Sequence, residues 1–345
     1  CTSLRKVTFG KNLTSIGSDA LRNCSALDTV VWNVKTFSIT SSGSTPFNAS
    51  NVSVYSQIKS FTFGPDVETI PAYLCRYMRN INTPIVIPES VKSIGTEAFY
   101  SCTSVPSLTL NKTIKSYTDQ FASCSGLTKV YYTGSIEDWC GISFSSATSN
   151  PLYYAKNLYI DNTLATEITI PSTVKSIGAY QFYNASCLTK VTLPSTMATI
   201  NSSAFYGCSN MAAINLGSTA VTKVNNYAFY GCSRLKEIEF PNSVTSVGSS
   251  VLSNCTSLRK VTFGDNVNSI GSSALSNCTS LRKVTFGKNL TSIGSDALRI
   301  CSALDTVVWN VKTFSITSAS NTPFNASNVS VYSQIKSFTF GPDVE

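Results

Sequence analysis

Twelve cysteines and not one histidine set the limits on what this chain can do chemically. Without imidazole there is no Ser-His or Cys-His pair and no histidine metal ligand, so thiols and carboxylates are the groups to weigh. Nine cysteines recur at one position of a repeating pattern: Cys1, Cys24, Cys102, Cys124, Cys208, Cys232, Cys255, Cys278 and Cys301. A zinc site wants closely paired thiols, and this single-position spacing does not supply them. Thiols stacked one strand apart, ~4.8 Å, lie within Cα reach of a disulfide, but their Cβ vectors run parallel. Met78 and Ala185 stand at the same position in two units, which suits an apolar slot better than a cross-link. The eight thiols from Cys24 to Cys301 therefore read as a structural ladder of small buried hydrophobes, and Cys232→Ser is expected to destabilise by placing a hydroxyl in an apolar column. Cys75, Cys140 and Cys187 fall outside the ladder and are the candidates for a bridge or an exposed thiol.

The acids offer no stronger case. Glu237 and Glu239 lie two apart on one expected strand, too ordinary for a glycosidase pair. No P-loop or GxGxxG occurs, so no enzyme, cofactor or metal site is expected. Function is expected on a surface. Between the buried strand positions runs an outward column of Thr109, Tyr131, Tyr159, Thr169, Thr192, Asn215, Glu239 and Thr262, with Thr8, Thr62, Thr285 and Thr339 continuing it. The adjoining column reads Lys6, Lys129, Glu167, Lys190, Glu237, Lys260 and Lys283. Threonine favours exposed strands and lysine keeps a face soluble; the same residues also make a hydroxyl-rich surface able to hydrogen-bond a glycan or an extended protein. Trp139 is the remaining candidate, either as an exposed anchor for a partner or as a pin holding its own loop.

The scaffold for these columns is a repeat of about 23 residues. CTSLRKVTFGDNVNSIGSSALSN (255–277) is followed directly by CTSLRKVTFGKNLTSIGSDALRI (278–300). Val-Thr-Phe alternates like a half-buried strand, and Gly or Pro stops it. A second apolar pair, such as Val267 and Ile270, turns inward. Gly271 then marks a tight corner, and Ala-Phe/Leu-x-x-Cys reads as a single helical or 3₁₀ turn. No unit buries its apolar side alone, so the units must stack as a solenoid with a parallel sheet. One solenoid over residues 1–345 is expected, with insertions at about 33–57, 133–155 and 310–334. Residues 278–345 duplicate 1–68 at an offset of 277, differing only at Asn23/Ile300, Ser42/Ala319, Gly43/Ser320 and Ser44/Asn321. The chain starts and stops inside repeats, so an array extending further, or copies stacking end to end, is expected.

IPESVKSIGTEAFYSCTSV (87–105) resembles the BspA-like branch of the leucine-rich repeat superfamily, and so do the atypical stretches 70–81 and 130–160. That resemblance covers essentially the whole chain. It implies an α/β leucine-rich-repeat solenoid curved as a right-handed arc or horseshoe, with the parallel sheet concave, and a protein secreted to a microbial cell surface for adhesion.

Composition agrees with an outward-working protein. Charged residues are 13%, against ~25% in average globular chains, and Ser, Thr and Asn take their place. Net charge is +8, yet lysine and arginine are distributed one or two per unit without interleaved aromatics, which argues against a nucleic-acid partner. No 18-residue apolar run marks a membrane span. Asn-x-Ser/Thr sequons occur, with the Ser-rich loops at Asn48 and Asn325 the best placed for a glycan. Three functions stay open: a cell-surface or extracellular adhesive module for a protein or glycan ligand; a fibre or sheath built from near-identical 277-residue blocks through end-to-end self-association; and a weak binder of acidic glycans.

Overall fold

The computed structural model describes residues 1–345 except 18, 19, 22, 48–51, 315–334, 343 and 345. Asn48, Asn325 and most of the 310–334 insertion thus lie outside the described residues. The chain is described in two compact units, Cys1–Leu164 and Ala165–Glu345, each a stack of parallel-strand coils.

In the first unit, strands Lys6–Phe9, Thr29–Trp32 and Ser60–Phe63 pair in parallel, with Val7, Val30 and Phe61 in one inward register. Strands Ile85–Val86, Ser107–Leu110, Lys129–Tyr132 and Leu158–Ile160 continue the same arrangement. Thr163–Leu164 then folds back antiparallel on Leu158–Ile160. Asp161 and Asn162 make that reversal with φ of 48° and 57°, the two left-handed residues that a tight hairpin turn of this hand demands. In the second unit, Glu237–Phe240, Lys260–Phe263, Lys283–Phe286, Thr306–Trp309 and Ser337–Phe340 form a five-stranded parallel sheet. A second line of two-residue strands from Ser176–Ile177 to Ser292–Ile293 closes each coil from another side.

Stacking aligns like residues. Phe240, Phe263 and Phe286 stack with ring centroids 5.1 and 5.7 Å apart, and Phe182, Phe205 and Phe229 with 5.3 and 5.6 Å, all nearly parallel. Gly271 serves its corner by close approach: a Cβ there would sit 2.4 Å from the Ser249 nitrogen of the preceding coil.

The Ala-Phe/Leu-x-x-Cys segments, expected as a single helical or 3₁₀ turn, close with bonds that span three residues and also form a ladder between coils. Alternate amides reach the next coil, as Ser203 to Asn226 (3.0 Å), Phe205 to Ala228 (2.9 Å) and Gly207 to Tyr230 (2.7 Å). The amides between them close tight turns on their own coil, as Tyr206 to Ser203 and Cys208 to Phe205, both 3.2 Å. A third ladder thus runs through these turns and satisfies the backbone. The geometry needs left-handed residues, and the one before the ladder position is Asn184, Gly207, Gly231, Asn254 or Asn277 in successive coils of the second unit, with Ser101 and Ser123 before Cys102 and Cys124 in the first. At Ile300 it is β-branched, with φ of 58°, where the duplicate copy has Asn23. A left-handed residue with a Cβ costs roughly 1–2 kcal/mol, and Ile300 is 42% exposed. Ile300→Asn should therefore stabilise by about 1 kcal/mol, seen as a higher melting temperature; a lower one would refute the strain.

The eight ladder thiols from Cys24 to Cys301 are all buried, and Cys1 is exposed. All twelve cysteines are free. Seven of the ladder thiols donate to a carbonyl of the coil before, for instance Cys232 Sγ to Phe205 O at 3.2 Å. The column is therefore not purely apolar, and a serine hydroxyl finds the same acceptor, so Cys232→Ser should cost only about 1 kcal/mol by denaturant melt. Burial pushes the thiols of Cys124 and Cys301 up to about 12 and those of Cys102, Cys208, Cys232, Cys255 and Cys278 well above their usual value. A thiol that ionises near 9 when unfolded but holds its proton when folded binds more protons in the native state across that interval. Stability should be intact below pH 9 and fall steadily from pH 9 towards 12, checked by denaturant melts across that range.

The expectation for the off-ladder thiols is corrected. Cys75 is fully buried. Its amide bonds Ala98 of the next coil as that of Phe205 bonds Ala228, so Cys75 fills a phenylalanine slot. Cys187 is buried too, and half-buried Cys140 has its thiol pushed up to about 12 by burial. None of the three is an exposed or bridged thiol.

Candidate functional site

Trp139 is not an outward anchor. It lies on the short helix Ile136–Cys140, which starts at a reciprocal capping box between Ser135 and Asp138, a sequence-local start signal. The Asp138 carboxyl is held below its usual range by the Ser135 backbone amide, then by the Ser135 hydroxyl and Lys115. The helix turns Trp139 inward to full burial, 5.3 Å from the ring of Tyr132 and 5.7 Å from that of Phe144. An indole is worth more inside a loop that otherwise lacks a core than on its surface.

The other candidates lie on outward strand positions. In the first unit Val86, Thr109, Tyr131 and Tyr159 form one register line, and the Tyr131 and Tyr159 rings sit 4.7 Å apart. In the second unit Thr169 pairs with Thr192, and Glu239 with Thr262. Only the second unit gathers several of them around a depression among the described pockets. Asn215, Gly217, Glu237, Glu239, Lys260 and Thr262 line an open, mostly polar hollow of ≈ 370 Å³.

A break in the repeat produces the hollow. The strand Ala213–Ile214 stops after two residues, and Leu216–Ser218 turns as a 3₁₀ segment. Asn215 carries the ladder across the break: its Oδ1 accepts from the Leu193 amide at 2.7 Å and its Nδ2 donates to the Leu193 carbonyl at 3.0 Å. The Asn215 amide is thus a surrogate peptide, and its contribution to the site is structural. Gly217 keeps the floor low, since a Cβ there would stand 3.1 Å from the Glu239 side chain. Glu237, Glu239 and Lys260 are exposed and Thr262 is half-buried, so carboxylates, an ammonium and a hydroxyl remain to meet a ligand. The set provides hydrogen bonds and charge.

The sequence pattern described as BspA type leucine rich repeat region (6 copies) matches residues 1–83, 49–164, 155–279 and 222–341. The chain belongs to the BspA-type leucine-rich repeat family. A leucine-rich repeat protein from Bacteroides ovatus is similar in structure at 23% identity, over 89% of this chain and 79% of that one, with a TM-score of 0.56. The pneumococcal vaccine antigen PcpA is similar at 17% identity, over 98% and 85%, with a TM-score of 0.52. Both likenesses concern the fold. No curated protein matches the chain in sequence. No helix among the described residues is long and apolar enough to cross a membrane.

Within this BspA-type array, sequence reading missed two surface features. On the turn side, Tyr183, Tyr206 and Tyr230 stack at 4.6 and 4.5 Å. Aligning the residue after each Phe would have found them. At the corner before the main strands, Lys236, Arg259 and Arg282 occupy one position in three successive coils. Treating the charges as evenly spread concealed this, although aligning the residue after each conserved leucine reveals it.

Proposed function

We propose that this BspA-type repeat protein is a non-catalytic binding module acting outside the cell or at a cell surface, and that it holds a protein or glycan partner on the outward sheet residues of Ala165–Glu345. One observation carries this reading: the ≈ 370 Å³ polar hollow stands where the repeat is interrupted, and the interruption is stabilised by the two Asn215 bonds to Leu193. Binding surfaces of repeat proteins are commonly made by such departures from the consensus. Family membership supports the adhesive setting.

The test is Gly217→Leu, which fills the hollow, together with Glu239→Ala, each assayed against panels of matrix proteins and glycans and against whole cells. Binding should fall by about tenfold or more, the loss of one well-placed contact set, with the melting temperature of Glu239→Ala unchanged. Full binding by both variants would overturn the reading.

A second reading, end-to-end stacking into a fibre, is favoured by the duplicated block. The duplicated copies fold alike: Thr29–Trp32 pairs in parallel with Ser60–Phe63, and Thr306–Trp309 pairs with Ser337–Phe340 in the same register. Negative-stain images showing filaments would favour the fibre, and discrete particles at high concentration would defeat it.

A further inference from the structure

We infer that the second unit carries a docking stripe for a linear acidic polysaccharide, made by Lys236, Arg259, Lys260, Arg282 and Lys283. The inference rests on the surface-binding reading above and names its ligand class. These five residues come from three successive coils. Lys260 and Lys283 are register partners on neighbouring strands. The Arg259 amide bonds the Lys236 carbonyl at 2.7 Å, and the Arg282 amide bonds the Arg259 carbonyl at 2.9 Å, so the corner residues follow the same stacking. Coil spacing therefore sets one or two cations every ~4.8 Å along the stack.

All five side chains are exposed, and none is in an ion pair among the described residues. The nearest acids are Asp305, which stacks on Arg282 as Asp28 stacks on Arg5, and Glu237, the register partner of Lys260; with Glu239 they number three against five cations, so the stripe keeps a net positive charge. A row with an excess of cations at fixed spacing is complementary to a chain of fixed anions.

The neighbouring groups select the kind of anion. Beside the stripe stand the hydroxyls of Thr262 and Thr285, half-buried and facing outward, suited to the hydroxyls of a sugar. The aromatic residues of the same strands, Phe240, Phe263 and Phe286, are buried, which leaves the strand face no ring on which bases could stack. Glu237 and Glu239 stand at one end and oppose an uninterrupted run of phosphates, whereas a polysaccharide can present neutral hydroxyls there.

The experiment uses the whole chain on a heparin column and in solution titrations with heparin, with neutral dextran and single-stranded DNA as competitors. The chain should be retained at about 0.15 M salt and elute as screening increases. Arg259→Glu with Arg282→Glu should weaken heparin binding by about tenfold or more, while the same charge change at Lys112 and Lys129 should leave it within twofold. If the glutamate pair disturbs folding by circular dichroism, Arg259→Gln with Arg282→Gln replaces it. Absence of retention, equal losses in the two double variants, or competition by DNA as strong as by free heparin would each overturn the proposal. Because Lys236, Arg259, Arg282 and Lys283 lie outside the hollow that Gly217→Leu fills, a lost hollow ligand with retained heparin binding, or the reverse, separates the two readings.

Discussion

Trp139→Ala should lower the stability of Cys1–Leu164 by about 3–5 kcal/mol, the cost of emptying a fully buried indole site. The indole is wholly inaccessible and packs on Tyr132 from the main strand line and Phe144 from the loop itself. Its helix has five residues, too few to stand without tertiary contacts. Removing the ring should therefore release 136–144 from the solenoid as well as leave a cavity. Hydrogen exchange should show protection lost first at Trp139 and Ile142, whose amides bond Ser135 and Trp139 within the helix turn. A variant that kept its melting temperature but lost a binding partner would return Trp139 to the surface role considered from sequence.

Phe229→Ala should cost a similar ~3–5 kcal/mol, with a different spatial pattern. Phe229 is fully buried at the end of the Phe182, Phe205, Phe229 stack and 5.6 Å from Phe205. Its carbonyl also accepts from the Cys255 thiol at 3.2 Å. The side chain cannot be replaced by settling of neighbouring coils, because each coil is fixed on both sides by inter-coil hydrogen bonds. In a stack of units stabilised mainly by nearest neighbours, exchange should accelerate in the coils of Phe205, Phe229 and Cys255, and much less around Phe286. Denaturant melts measure the loss and hydrogen exchange its extent. A uniform rise across both units, or a loss under 1 kcal/mol, would contradict this account.

Much of the scaffold was legible in the residues because stacking repeats the same physical demand in each coil. Val-Thr-Phe announced a strand with one face in, and Val261, Val284 and Val307 are indeed one buried register line. Gly271 marked a corner with no room for a Cβ, and the nearness of Ser249 is the reason. The apolar spacing of Ala-Phe-x-x-Cys announced a single helical or 3₁₀ turn, and the closing bonds do span three residues; the Asn and Gly before the cysteines were the signal for the left-handed residues, which went unread. Cys75 was misplaced because a thiol in a phenylalanine slot breaks the letter pattern while keeping the inward direction. The candidate site was only half readable. Glu239 and Thr262 were visible as outward strand positions, whereas the hollow depends on Asn215 imitating a peptide, which no strand pattern encodes. The corner cations were missed because evenness along the chain hides alignment in space.

The ladder through the turns has a mechanical consequence. Between Glu237 and Ile293 neighbouring coils are tied along the main strands, along the two-residue strands and through alternate amides at the left-handed turns, as between Leu252 and Ala274. Tension along the stacking direction loads the bonds of one junction in parallel, so a junction yields as a group before the next begins to bear strain. Such a material gives way in steps, each releasing about 23 residues, or roughly 76–83 Å of extended chain at ~3.3–3.6 Å per residue, and it dissipates work at every step. A tether between moving surfaces would gain from that graded yielding.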